Sequence, residues 1–160
     1  MAELSSEQKA EYLHRCYTAV DGLWFMKLEE RLGFEEALAV DTEVWKVMPK
    51  LQARKLRELT GAAAGLAGLR ECFGHKLRLD GFSYQVQAQD GRLEYQVSGC
   101  PWYELLRKSG RQALAGRIGE RICQTEYNVW AAEFGPGIAF EMRHQLCTGG
   151  LMCRLCFVAQ

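Results

Sequence analysis

The fold is decided by the stretch FSYQVQAQDGRLEYQV at residues 82–97. Apolar and polar side chains alternate strictly before and after Asp90-Gly91, a dipeptide typical of two-residue hairpin turns. One face of the predicted hairpin is therefore apolar and the other is polar. A sheet of this kind packs against helices on one side only, because its polar face can remain in water.

The residues before the hairpin show the period of helices. A first helix carries apolar residues at i, i+3, i+4 and i+7 along residues 13–28, which predicts a buried face that includes Cys16. A second helix is expected from about Phe34 to Met48, and a third, which includes Cys72, from about Lys50 to Phe73. Both cysteines are interpreted as small core hydrophobes.

The residues after the hairpin alternate short helices with two further strands. Pro101 suits the first position of a helix that follows Cys100. The remaining predicted elements are helices at about 111–122 and from Cys123 to the Gly-Pro-Gly break at 135–137, and strands at 138–142 and 153–157.

The chain is therefore predicted to form one α+β domain over residues 1–160, a length sufficient for a single hydrophobic core. Residues 1–73 form its helical N-terminal half. Residues 74–160 form an antiparallel sheet of about four strands with short helices on one face.

Composition narrows the class of partner. The chain has 20 basic and 20 acidic side chains, so it lacks the excess positive charge of nucleic-acid-binding proteins. No apolar run reaches the roughly 20 residues of a membrane-spanning helix, and the first residues are acidic and polar, unlike a signal peptide. We expect a cytoplasmic protein that binds a small molecule, with neither nucleic acid nor membrane as a partner and with a homodimer as a candidate assembly.

Seven cysteines in a chain without a secretory signal indicate metal binding, catalysis or simple burial more than disulfides. Cys147 and Cys153 flank a Thr-Gly-Gly turn that can bring both thiols to one ion. Cys100 and Cys123 lie at predicted helix starts, where the helix dipole lowers the pKa of a thiol. Cys156, at an odd offset from Cys153 on a strand, points to the other face of the sheet.

Two further side chains are candidates for catalysis or metal binding. Glu126 lies one helical turn after Cys123, where it can orient a ligand or act as a base; a carboxylate in the first turn of a helix explains it equally well. His144 precedes Cys147 by three residues and is either a ligand or an exposed residue at the end of a strand.

Several motifs resemble a known family. The first half contains DGLWF at 21–25, EE-x-x-GFE-x-AL at 29–38 and D-x-EVW at 41–45. The second half contains Cys100, C-x-x-EY at 123–127, Cys147 and C-R-x-x-F at 153–157. Most of the chain thus resembles small cytosolic bacterial and archaeal proteins grouped with the L-2-amino-thiazoline-4-carboxylic acid hydrolase-like family. This resemblance implies hydrolysis of a small cyclic substrate, with Glu126 or His144 moving the proton.

The C-terminal half is also similar to the 4-vinyl reductase domain, a sensor and small-molecule-binding fold. Regulators with this domain hold zinc through an upstream cysteine, a Glu-x-x-Cys pair and a final cysteine. Here His144 stands in the place of that glutamate. The two resemblances imply two competing ligand sets, which are Cys100, Cys123, Cys147 and Cys153, or Cys123, His144, Cys147 and Cys153.

Two classes of function follow. The first is a metal-supported hydrolase of a cyclic C–N bond, in which Glu126 and His144 are the catalytic candidates. The second is a non-catalytic binding or sensor module with a structural metal, whose aromatic side chains either line a ligand cavity or form the core. Zinc is the expected ion in both, and iron or an iron–sulfur cluster is the alternative.

Overall fold

The computed structural model describes residues 3–160. Its internal contacts divide the chain into two compact units, Met1–Asp41 and Thr42–Gln160. Helix α2, Phe34–Trp45, crosses the boundary between them.

The first unit is dominated by a long helix, α1, Ser6–Leu32. Ser5 and Gln8 form a reciprocal capping box at its start. The predicted buried face is wrong for the described chain, since α1 contains no buried residue and Cys16 is exposed. Leu13 and Trp24, for example, are 64% and 66% exposed. The spacing of the apolar residues predicts an amphipathic helix. It does not determine whether other residues of the chain bury the apolar face.

The second unit opens with two helices where the sequence predicted one. Helix α3 is Met48–Thr60 and α4 is Leu66–Leu79. The predicted helix from Lys50 to Phe73 is broken because Gly61 and Gly65 take φ values of +72° and +96°, which end α3 and precede α4. Cys72 is fully buried, as predicted.

After the hairpin, the structure has one helix where the sequence predicted two. Helix α5, Pro101–Lys108, begins at its proline as predicted, with Cys100 as its N-cap residue. The two helices predicted next are a single helix, α6, Gln112–Phe134. No proline interrupts residues 112–134, so the chain continues helically through Cys123. Cys123 therefore does not lie at a helix start.

The α+β fold and the four-stranded antiparallel sheet are confirmed. The strands are β1, Ser83–Gln89; β2, Arg92–Gly99; β3, Ile138–Met142; and β4, Cys153–Ala159. Their spatial order is β1-β2-β4-β3 and every pairing is antiparallel. The hairpin turns at Asp90-Gly91, where Gly91 has φ +73°.

An aromatic core joins one face of the sheet to α4 and α6. The Phe73 ring packs edge-on against four other rings at centroid distances of 5.0–5.4 Å, which are those of Tyr95, Tyr127, Trp130 and Phe157. Aromatic pairs in this geometry each add about 0.5–1.5 kcal/mol beyond area burial. Within residues 3–160, no helix has both the length and the apolar character needed to span a bilayer.

Candidate functional site

The structure brings four predicted cysteines together from four separate elements. Cys100 precedes α5, Cys123 lies in the middle of α6, and Cys153 is the first residue of β4. Cys147 lies in a short 3₁₀ helix, Leu146–Thr148. All four side chains are partly buried, and the Cys123 thiol interacts electrostatically with each of the other three.

Gly119 allows the side chain of Cys147 to pack closely against α6. A Cβ atom at Gly119, one turn before Cys123 on α6, would overlap the Cys147 Sγ and would lie 4.0 Å from the Cys123 Sγ. The Gln145 side-chain amide also donates to the Gly119 carbonyl at 3.3 Å, which holds the segment around the 3₁₀ helix against α6. Sequence reasoning missed Gly119, because glycine in a helix interior has no distinctive pattern.

Backbone groups also orient the thiols. The Leu146 N–H donates to the Cys153 Sγ at 3.3 Å, an arrangement that stabilises a thiolate. Backbone N–H groups of Trp102 and Tyr103, in the first turn of α5, favour the thiolate of Cys100 in the same way. Both cysteines are thus placed where an anionic sulfur receives hydrogen bonds.

Burial nevertheless has the largest effect on the pKa values of Cys100 and Cys123. It raises the pKa of Cys100 to about 11, with a further contribution from Cys153. Burial, followed by Glu126 and the other three thiols, raises the pKa of Cys123 well above its ordinary value. The expectation that helix starts lower these two pKa values is therefore wrong, because Cys123 is inside a helix and desolvation outweighs the N-terminal effect at Cys100.

Glu126 lies beside the thiols but is engaged in a buried ion cluster. Its carboxylate is 2.5 Å from the Lys76 ammonium, which is also 3.3 Å from Asp80. Burial opposes the charge of Lys76, but Glu126 and then Asp80 raise its pKa well above the usual range. The rings of Phe82 and Tyr127 lie 5.0 and 5.6 Å from the ammonium.

Lys76 and Asp80 were not predicted from the sequence. The available signal was their i, i+4 spacing within a run of buried apolar residues on α4, a position where a lysine must be paired. Lys76 also lies close enough to Cys100 to favour its thiolate. The ion cluster therefore acts on the cysteines electrostatically, with Lys76 favouring the Cys100 thiolate and Glu126 opposing that of Cys123.

His144 and Cys156 lie outside this region. The His144 side chain is exposed and lines a hollow of about 320 Å³ with Thr148 and Gly149. Cys156 is on the other face of β4, as predicted, where Arg92 Nη2 donates to its Sγ at 3.1 Å opposite Glu94. Cys123 interacts electrostatically with the other three cysteines of the four-cysteine set, whereas His144 is exposed, and both ligand sets stay predictions.

The four thiols form a cluster, but not a finished coordination sphere. Within residues 3–160, no three Cys, His, Asp or Glu side chains already have the arrangement of a metal site. Cysteine sulfurs are nevertheless the donors that hold zinc or an iron–sulfur cluster, and Gly119 leaves room for those of Cys147 and Cys123.

Residues 3–144 match the model of a family of unknown function, DUF6125. The chain belongs to that family. The matched region contains Cys100, Cys123 and Glu126 but ends before Cys147 and Cys153. No curated protein matches the chain.

One solved structure similar to this DUF6125 member is the phenol-responsive sensory domain of the transcription activator PoxR with phenol. The two share 11% sequence identity and superpose with a TM-score of 0.52 over 88% of this chain and 73% of that chain. At this identity the likeness concerns the fold alone.

The aromatic residues of this DUF6125 chain divide between core and surface. Tyr95, Tyr127 and Trp130 are almost completely buried and belong to the core, whereas Trp24 is exposed. Trp45 packs edge-on against Trp102 at 6.3 Å. For the three buried residues, the interpretation as an aromatic core is confirmed.

Proposed function

We propose that the chain is a small-molecule-binding module of the sensor type, in which one zinc ion held by Cys100, Cys123, Cys147 and Cys153 fixes the C-terminal half. The observation that carries the proposal is the convergence of these four thiols from four elements that are distant in sequence. Cys100, Cys123 and Cys153 also pack against the aromatic core, so elemental analysis has to separate metal binding from simple packing.

Four thiolate donors favour a structural role for the ion. Zinc with four protein ligands has no open position for substrate, whereas catalytic zinc keeps one. The ion would join β4, α6, the 3₁₀ helix and the start of α5 at one point. Lys76 favours the Cys100 thiolate, but it is already paired with Glu126 and Asp80, so this ion cluster adds no net positive charge beside the sulfurs.

The ligand-binding half of the proposal is supported by the fold shared with a phenol-responsive sensory domain. It extends the expectation from the resemblance to the 4-vinyl reductase domain. An aromatic or similarly apolar small molecule is the ligand class we propose. Thermal unfolding with and without phenol is a first measurement, because a ligand that binds only the folded chain raises Tm with concentration.

A hydrolase of a small cyclic substrate, of the aminothiazoline carboxylate type, is the second candidate. The observation that favours it is a buried carboxylate, Glu126, beside the thiols. In that case Glu126 would have to leave Lys76 to accept a proton, and His144 would act from the exposed side. Turnover of aminothiazoline carboxylate that is lost in Glu126→Gln, with metal content unchanged, would decide for this candidate.

Elemental analysis of purified protein tests the metal site. We expect one zinc per chain, and loss of most of it in Cys100→Ser, Cys123→Ser, Cys147→Ser and Cys153→Ser. Cys156→Ser is the matched control, because this cysteine lies on the same strand as Cys153 but on its other face. One zinc per chain in all four variants would overturn the site, and a brown protein containing sulfide would replace zinc with an iron–sulfur cluster.

A further inference from the structure

A second polar site lies on α4, facing the hairpin. Arg70, Gly74 and Arg78 follow one another at intervals of four residues and so share one face of the helix. These three residues border a groove of about 280 Å³, and Tyr84, Val86 and Tyr95 of the hairpin line its other side. Eight residues of helix span about 12 Å, so the two arginines stand at opposite ends of the groove.

Gly74 opens the space between the two arginines. A Cβ atom at this position would lie 3.2 Å from the Tyr84 hydroxyl and 3.7 Å from the Tyr95 hydroxyl. Both hydroxyls reach the backbone of α4 instead, Tyr84 donating to the Gly74 carbonyl at 2.9 Å and Tyr95 to the Arg70 carbonyl at 2.7 Å. These two hydrogen bonds hold the tyrosine hydroxyls against α4 at the floor of the groove.

The guanidinium groups at the groove are not neutralised by carboxylates within the described chain. Arg78 donates to the Tyr84 hydroxyl at 2.9 Å and contacts His75 Nδ1 at 3.3 Å. Arg70 has no ion pair among the described residues, although Glu71 follows it at the rim. Two guanidiniums without a carboxylate partner at one groove are suited to a planar anion, because a guanidinium binds a carboxylate through two parallel hydrogen bonds.

We propose that this groove binds a small organic carboxylate with a single ring. The guanidinium of Arg78 or Arg70 would bind the carboxylate, and the partly exposed side chains of Val86 and Tyr84 would contact the ligand's ring. The volume is below the range of about 300–1,000 Å³ typical of pockets for drug-sized molecules, which limits the ligand to one ring. Glu71 favours a ligand that also carries a hydrogen-bond donor.

Titration of the full chain with benzoate, followed by NMR, tests this site. We expect saturable binding with a dissociation constant of about 0.1–1 mM, the range for a ligand of about nine heavy atoms. Benzamide, which has the same shape without the charge, should bind at least about tenfold more weakly. Equal binding of the two probes, or no saturation by about 10 mM benzoate, overturns the proposal.

Variants locate the binding to the groove. Arg70→Gln and Arg78→Gln should each weaken benzoate binding by about tenfold or more, while Arg121→Gln, an exposed arginine on α6, should not. Gly74→Ala should also weaken binding, although it keeps both arginines, because the added methyl group lies between them in the groove. An equal effect of Arg121→Gln, or displacement of benzoate by an equal concentration of inorganic phosphate, would show general attraction of anions and overturn the site.

This site is independent of the metal proposal. Serine variants at Cys123 or Cys147 that remain folded should bind benzoate as the parent chain does. If the purified chain holds no metal, the proposal for the groove still stands. If benzoate does not bind, the proposal for the four cysteines still stands.

Discussion

Lys76 of α4 and Glu126 of α6 form an ion pair in which the side chains are only 3% and 7% exposed. The pair joins the two helices that pack against the aromatic core, and Asp80 completes it from the end of α4. A buried charge is costly unless it is paired, so each partner depends on the other. The thiol of Cys123 lies one helical turn from this pair and is affected by its charge.

Replacing Lys76 by methionine should strongly destabilise the chain. The substitution leaves two buried carboxylates without their cation, and breaking such a pair from one side costs about 3–5 kcal/mol of unfolding free energy. Urea denaturation measures the change. Lys55→Met is the matched control, since its pair with Glu58 is exposed and should contribute no more than about 0.5 kcal/mol.

A double variant separates charge from packing in this pair. Adding Glu126→Gln to Lys76→Met removes the carboxylate left without its cation, so part of the lost stability should return. If the double variant is as unstable as the sum of the two single variants, the pair does not act as a unit and our interpretation is wrong.

The close approach at Gly119 gives a second prediction. Gly119→Ala should destabilise the chain and lower its zinc content, because the new methyl group overlaps the Cys147 sulfur. Gly116→Ala, one turn earlier on α6, is the control: its Cβ lies 3.4 Å from the nearest atom, the Cys147 carbonyl oxygen. That variant should be neutral or gain up to about 1 kcal/mol from helix propensity. Equal behaviour of the two variants would contradict the contact.

The features of the fold and the site that could be predicted from the sequence depend on residues that are close together in the chain. The alternation over residues 82–97 and the Asp90-Gly91 turn predict the hairpin because both depend on neighbouring residues. The offset between Cys153 and Cys156 separates their faces for the same reason. The helix boundaries at Gly61 and Cys123 were wrong because tertiary packing decides whether a glycine interrupts a helix and whether a helix continues.

Other features depend on residues that are distant in the chain. Lys76 meets Glu126 across two helices, and Gly119 meets Cys147 through the position of the 3₁₀ helix. No spacing in a single sequence encodes such distances. The direction of the Cys100 pKa shift also could not be predicted from the sequence. Hydrogen bonds at the start of α5 lower this pKa and desolvation raises it, so the outcome depends on how deeply the thiol is buried.

The buried thiols predict a pH dependence of the metal-free chain. Burial raises the pKa of Cys100 to about 11, and it raises the pKa values of the other three thiols as well. The folded state therefore holds these protons more tightly than the unfolded state, in which thiols titrate near about 8.5. Their contribution is complete below that pH and is lost as the pH rises toward the folded values.

Urea denaturation in the presence of a chelator should show this loss directly. Between pH 8 and pH 10 we expect about 1–2 kcal/mol less stability from Cys100 alone. Cys100→Ser should show a smaller decrease over the same interval, because serine does not titrate there. A stability that is constant from pH 8 to pH 10 would contradict the buried, protonated state of the thiols.

The choice between the two ligand sets gives the last prediction. His144→Ala should retain its zinc and change the unfolding free energy by less than about 0.5 kcal/mol, because the side chain is exposed. Cys100→Ser should lose zinc to a competing chelator, because it removes one of the four converging sulfurs. The opposite pattern, with zinc lost from His144→Ala and kept by Cys100→Ser, would require the segment around the 3₁₀ helix to turn inward. It would also return His144 to the metal site as a ligand.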